Sequence, residues 1–277
     1  MKPNTVLHIL LILNLLFISP SAMSIMSGKR VLVTGGGRGI GRAIAQICAR
    51  EGAQVAICSR TESQLEETAS TVSPHSMDTY VADLTNEEQV DSMVKSIVQK
   101  WGGIDVLINN AGRGQKKGPA YTLKAEDLSS LLHLNVVAVH IVTSSVLQQS
   151  MLENENPSRI INVSSKAGKV GLPNNSFYVT SKFALEGYSA AIAEELKDKN
   201  IIVNTISPGM VNTESFPKPE GKKGVRTAES IKDGLLLLMQ TEKTGHYLHV
   251  DELDEARQKG FDGDVALKDI NEAKFQL

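Results

Sequence analysis

The sequence predicts an α/β fold: a doubly wound parallel sheet in a single domain, about seven strands with helices on both faces. Three observations predict it. Short apolar strands alternate with longer segments of helical periodicity, glycines cluster just after the first strand, and polar residues recur past the strand ends. The length allows it, since 277 residues that are 41% hydrophobic can bury one large core but fall near the size at which chains divide.

The elements follow in order. Residues 30–34 form an apolar strand running into glycines, and 39–50 form a helix with Ile40, Ile44 and Ile47 on one stripe. A strand at 54–58 precedes a polar helix at 61–71, opened by Thr61 as cap. Strand 79–82, helix 86–101 and strand 104–108 come next, then a long helix at 125–151. Strand 159–163, helix 176–197 and strand 201–206 repeat the unit. The Pro-, Gly- and Lys-rich stretch 208–226 reads as a loop, 227–240 as a helix and 247–250 as a last short strand. Three regions result: an apolar segment at 1–26, the domain at 27–250, and a charged surface extension at 251–277.

Composition excludes several classes. The net charge of −2, from 29 basic and 31 acidic residues, gives no reason to expect nucleic acid as a partner. Cys48 and Cys58 are too few for a disulfide framework and read as small buried thiols, and six scattered His residues offer no metal-ligand spacing. The apolar run at 6–18, with small residues after it, leaves three readings open: a secretory signal, a membrane anchor extending to residue 26, or a non-native extension before a start at Met23 or Met26. The location follows the same choice, cytoplasmic for the late starts and endoplasmic reticulum membrane or secretory pathway otherwise.

The turn after the first strand reads Thr34-Gly35-Gly36-Gly37-Arg38-Gly39-Ile40-Gly41. Glycines at 35, 39 and 41 let the backbone turn sharply against a pyrophosphate, and the helix that follows aims its N–H groups at that anion. The spacing differs from G-x-G-x-x-G. Further along come Asn109-Asn110-Ala111-Gly112, Asn135, Ser164-Ser165, Tyr178-Val179-Thr180-Ser181-Lys182 and Ser207-Pro208-Gly209, each after or near a strand end. In this order, over 29–250, the chain resembles the short-chain dehydrogenase/reductase family, in its single-domain branch near 250 residues. The resemblance implies a Rossmann-type fold and a nicotinamide cofactor.

The second strand ends Ile57-Cys58-Ser59-Arg60, with Ser59 where NAD-preferring members carry Asp. Arg60 and Arg38 can converge on the extra phosphate of NADP, so NADP(H) is the expected cofactor. Tyr178 and Lys182, four apart on a helix, share one face, and a cation so placed should lower the phenol pKa. The resemblance makes Tyr178 the general acid/base and gives Lys182 a bond to the nicotinamide ribose. It sets Ser165 against the substrate oxygen and has Asn135 hold a water in a proton relay. It further implies that Gly35, Gly37, Arg38, Gly39, Ile40, Gly41, Ser59 and Arg60 bind cofactor. Asp83 and Leu84 would meet adenine, Asn109, Ala111 and Gly112 the cofactor floor, and Pro208, Gly209 and Thr213 the nicotinamide.

The expected function is hydride transfer between NADP(H) and a small-molecule carbonyl or alcohol, in the direction of reduction, with substrates of the 3-oxoacyl, ketone or aldehyde class. The alternative of another class is a non-catalytic NADP-binding regulator. Lys116-Lys117 and Lys222-Lys223 could flank the cleft. The resemblance implies a homodimer or homotetramer, although the chain lacks the family's closing Asp-Gly-Gly turn, and residues 6–26 would carry any membrane association.

Overall fold

The protein is described by a computed structural model covering residues 24–72, 77–214, 216–218 and 221–272. Residues 1–23, which hold nearly all of the apolar N-terminal segment, lie outside the described residues, as do Ser215 and Pro219 of the loop.

Eight strands form one sheet. They are β1 (Arg30–Thr34), β2 (Gln54–Ser59), β3 (Met77–Val81), β4 (Val106–Asn109), β5 (Ser158–Val163), β6 (Ile201–Ser207), β7 (His246–His249) and β8 (Leu267–Asp269). Their spatial order is β3-β2-β1-β4-β5-β6-β7-β8. The first seven are parallel, and β8 pairs antiparallel with β7. The helices are α1 (Gly39–Arg50), α2 (Glu62–Ser70), α3 (Glu87–Trp101), α4 (Ala125–Leu132), α5 (Ala138–Gln149), α6 (Ser176–Leu196), α7 (Lys232–Gln240) and α8 (Val250–Gln258).

The two faces of the sheet bury separate cores because successive strand residues point to opposite sides. Val31 and Val33 of β1 enter a core with Ile44, Ile57, Leu235, Leu248 and Leu253. Leu32, between them, enters the other with Val94, Leu107, Val142, Ile160 and Ile192. Cys48 and Cys58 are free and buried, and burial pushes both thiols up to about 12.

Three local expectations change. The helix expected at 125–151 is broken by a π-helical turn, His133–Val137, between α4 and α5. Thr61 stands at the N-cap position of α2 but makes no cap bond with its side chain; instead its own N–H donates to Ser59 Oγ, 3.2 Å away. Met26, counted with the N-terminal segment, is fully buried, and its N–H donates to the Glu51 carbonyl.

The largest correction concerns the C-terminal part. The expected surface extension is instead α8 and β8, which brings the sheet to eight strands. Averaged composition made 251–277 look solvated, but its periodicity is amphipathic: Val250, Leu253 and Ala256 are buried while the charged residues between them face outward. Leu267 and Ile270 then bury as β8 covers the edge of β7. Leu253→Ala should therefore lower stability by about 2–5 kcal/mol, the usual range for a core leucine. Urea denaturation measures it, and a change within about 0.5 kcal/mol, as at a surface position, would show that α8 is not docked.

Candidate active site

Strand order reverses between β1 and β4, since β1 leads on to β2 on one side and β4 to β5 on the other. A crevice opens at their carboxyl ends, the place where such sheets bind ligands. One side chain ties its base. Thr34 Oγ1 accepts the N–H groups of Asn110 (3.0 Å) and Ala111 (3.1 Å), and Asn110 Nδ2 donates to the Thr34 carbonyl (3.0 Å).

From this base a groove of about 920 Å³, its open mouth included, runs over the glycine turn. Gly35, Gly37, Arg38, Gly39, Ile40 and Gly41 line it, and so do Ser59, Arg60, Asp83, Leu84, Ala111, Gly112 and Thr213. Two glycines are required by geometry. Gly39 holds φ +56, and a Cβ on Gly41 would fall 2.2 Å from the Gly35 carbonyl oxygen. The backbone thus comes bare to the groove at the head of α1, a cradle suited to a pyrophosphate.

Arg38 and Arg60 are exposed at the groove and, among the described residues, form no salt bridge. Asp83 is held below the usual carboxylate range, first by hydrogen bonds from Thr85 and then by the field of Arg60 and His133. So a carboxylate lies in the field of Arg60.

Five residues predicted to bind cofactor do not line this groove: Tyr178 and Lys182, described below, and Asn109, Pro208 and Gly209. Asn109 was expected on the groove floor but is buried, its Nδ2 donating to Thr143 Oγ1 (3.0 Å) and Asn162 Oδ1 (2.9 Å). The alternation along β4 turns it toward the helix layer and leaves the groove to Asn110, its neighbour. Pro208 and Gly209 follow β6 without lining this groove. Gly209, at φ +75, leaves room for Asp251, whose Oδ1 would lie 2.7 Å from a Cβ there. The reading of the sequence also missed Thr61, Gln64, Leu134 and Phe216 in the groove wall. Phe216 had no signal, because it reaches the groove from the loop after β6.

The structure brings Ser165, Tyr178 and Lys182 together. Ser165 caps the turn after β5, its Oγ accepting the Ala167 N–H (3.1 Å). Tyr178 sits in the first turn of α6, where its N–H donates to Gln115 Oε1 (2.6 Å). Burial raises the Tyr178 phenol above its ordinary pKa, and a hydrogen bond with Ser165 opposes the rise. The direction is the reverse of that expected from Lys182, because burial outweighs the favourable contacts. Lys182 Nζ lies 5.9 Å from the Tyr178 ring centre and donates to the Val163 carbonyl at 2.9 Å. Burial lowers Lys182 to about 8, with Glu186 acting against the drop.

Asn135 is buried in the π-helical turn. Its Oδ1 accepts the Arg113 N–H (2.9 Å), and its Nδ2 donates to the Arg113 carbonyl (2.9 Å) and Ser181 Oγ (3.1 Å). It therefore joins the loop after β4 to α6 one residue before Lys182. Phe216 packs beside Tyr178, ring centres 6.0 Å apart. A phenol, an ammonium and a hydroxyl at one place can exchange a proton with a polarised substrate oxygen and hold charge on it.

A family model of short chain dehydrogenases matches residues 29–223. The chain belongs to the short-chain dehydrogenase family. Among curated relatives, the short-chain dehydrogenase sequence is 35% identical over 190 residues to the 3-oxoacyl-[acyl-carrier-protein] reductase of Thermotoga maritima, covering 68% of this chain and 76% of that one. Among solved structures it is similar to a Shigella flexneri short chain dehydrogenase complexed with NADP, at TM-score 0.77 and 27% identity, covering 83% of this chain and 99% of that one. It is also similar to the 3-ketoacyl-(acyl-carrier-protein) reductase of Brucella melitensis complexed with NADH, at TM-score 0.75 and 27% identity, covering 81% and 97%. The family is one of oxidoreductases, and this chain shares its single-domain Rossmann-type fold.

The glycine turn yields a test with an unusual sign. An alanine inside a helix normally gains about 1 kcal/mol over glycine. Gly41→Ala should instead destabilise the protein by about 1–3 kcal/mol, as overpacking does, because its Cβ meets fixed backbone at Gly35. Chemical denaturation of the variant checks this, and a stabilised variant would show that the turn is looser than described.

Proposed function

We propose that the protein is an NADP(H)-dependent carbonyl reductase, acting on a substrate of the 3-oxoacyl, ketone or aldehyde class. One observation carries the reading: Tyr178, with Ser165 and Lys182 beside it, packs against Phe216, which lines the groove together with Gly41, Arg38 and Arg60. The relative from Thermotoga maritima, a 3-oxoacyl reductase by name, supports the substrate class.

The groove fits a dinucleotide. Its glycine cradle has no side chain to block a pyrophosphate, and two unpaired guanidinium groups beside Ser59 suit a phosphate on the adenosine ribose. Leu84 and Asp83 would face adenine, and Ala111, Gly112 and Thr213 would line the remaining length. A bound nicotinamide supplies the hydride.

The side chains supply the rest. Ser165 donates a hydrogen bond to the substrate oxygen and stabilises the charge that develops there. Tyr178 gives its proton to that oxygen, and a phenol kept protonated by burial is in the correct state to do so. Lys182 keeps a positive charge beside the phenol, which favours the departing proton. Asn135 fixes the geometry of α6 through Ser181. Phe216 covers the reacting end beside Tyr178.

A panel of 3-oxoacyl thioesters, ketones and aldehydes, followed by NADPH absorbance, tests the activity. Tyr178→Phe should lower turnover at least ~100-fold while leaving NADPH binding, read by fluorescence titration, within a few-fold. Turnover near that of the wild type would remove Tyr178 from the mechanism. No turnover with any carbonyl, alongside intact NADPH binding, would favour the non-catalytic alternative. For the cofactor, kcat/KM with NADPH should exceed that with NADH, and replacing both Arg38 and Arg60 by Ala should cut the preference at least ~10-fold, since hydrogen bonds to charged groups contribute about 1.5–3 kcal/mol each. Equal values for the two cofactors in the wild type would overturn the assignment. Reduction should also slow as pH rises through about 8, where Lys182 loses its proton.

A further inference from the structure

Behind the candidate site lies a second charged group that the proposed reaction does not use. Glu186 follows Lys182 by four residues on α6, so the two occupy one face of the helix. Glu186 is 5% exposed. Its Oε2 pairs with Lys169 Nζ at 3.3 Å, both side chains 6% exposed, and accepts from Thr205 Oγ1 at 3.1 Å. Ser164 Oγ approaches from the turn after β5, yet Oε1 has no hydrogen-bond partner of good geometry among the described residues.

Such an arrangement is costly. A buried carboxylate with one oxygen unsatisfied loses solvation that a single ion pair does not restore, and a buried pair can often be replaced by apolar side chains without loss. Its stabilising value alone does not account for it. Charge balance does. Lys169 and Lys182 both carry buried side chains, and Glu186 pairs with the first and stands one helical turn from the second. Tyr178 on α6 and Tyr247 on β7 also face this centre, the Tyr247 ring 5.0 Å from Lys169 Nζ and in the field of Glu252 and Asp251, with Asn135 from the π-helical turn and Thr205 from β6. Lys169 is held in turn from the C-terminal strand region, where its Nζ donates to the Ile270 carbonyl at 2.5 Å.

We propose that Glu186 is a positioning residue of this site: its buried carboxylate, pinned by Lys169 and Thr205 one helical turn beyond Lys182, supplies the negative charge that keeps the Lys182 ammonium protonated, and the segment after β8 takes part by holding Lys169. The inference rests on the reductase reading only for what Lys182 does, not for its charge.

Two measurements test it. The first is the pH dependence of kcat/KM for NADPH-dependent reduction. In Glu186→Gln the alkaline limb should move down by about one pH unit or more. Lys169→Met should move it the same way, because a carboxylate that loses its cation takes up a proton and no longer supports Lys182. Glu186→Asp should restore most of the range, and Lys166→Met, an exposed change in the same turn, should leave it in place. Profiles of Glu186→Gln and Lys169→Met that superimpose on the wild type would overturn the proposal.

The second needs no turnover. Lys182 titrates near 8 in the folded protein and near the lysine reference of about 10.4 when unfolded. The folded state thus binds fewer protons between those values, so the penalty of burying this cation is present below pH 8 and is relieved as pH rises. The stability of the Lys182 protein relative to Lys182→Met should therefore climb between about pH 8 and 10.4. With Glu186→Gln as background the climb should begin about one unit lower, and a climb that begins at the same pH in both backgrounds would equally sink the proposal. If the wild type reduces no carbonyl, the functional reading fails and this second measurement still decides the role of Glu186. Should Glu186→Gln fail to fold, Lys169→Met serves in both measurements.

Discussion

Where β1 and β4 part, a single hydroxyl holds the two strand ends together. Thr34 Oγ1 accepts from the backbone of Asn110 and Ala111, and Asn110 returns a bond to the Thr34 carbonyl. The crevice exists because consecutive elements leave these strands in opposite directions. Without the tie its floor could splay, and the glycine turn, whose Gly35 carbonyl accepts from Asn110 Nδ2 at 3.3 Å, would have nothing to rest on. The groove inherits its position from this junction.

Polar burial then organises the layer behind the junction. Asn109 bridges to Thr143 and Asn162, and Asn162 continues to Ser189 on α6 at 2.8 Å. Asn135 binds the loop after β4 to Ser181. These bonds fix how α6 sits against the sheet, and α6 carries Tyr178, Lys182 and Glu186. Fully paired networks of this kind rigidify what they hold, whereas partly paired ones signal another use. The Glu186 carboxylate is of the second sort, and it lies one helical turn from the buried Lys182.

Much of this was legible in the sequence because it is local. Strand and helix periodicities, the glycine turn and the i, i+4 pair Tyr178 and Lys182 are set by neighbours along the chain. The choice between Asn109 and Asn110 was not, since adjacent residues on a strand differ only in which face the sheet presents to the groove. The π-helical turn was hidden inside an apolar helical pattern, and β8 inside a charged one, because both depend on what packs against them.

The sequence by itself determined the alternation of strands and helices, the bare glycine turn and the helical spacing of Tyr178 and Lys182. Only the tertiary structure decided their states and neighbours. Burial raises the Tyr178 phenol and lowers Lys182, and Lys169 and Thr205, far apart in the chain, reach the Glu186 carboxylate, while the Ile270 carbonyl holds Lys169. The physical reason is that desolvation and long-range charge depend on what folding brings near, which no spacing along the chain records.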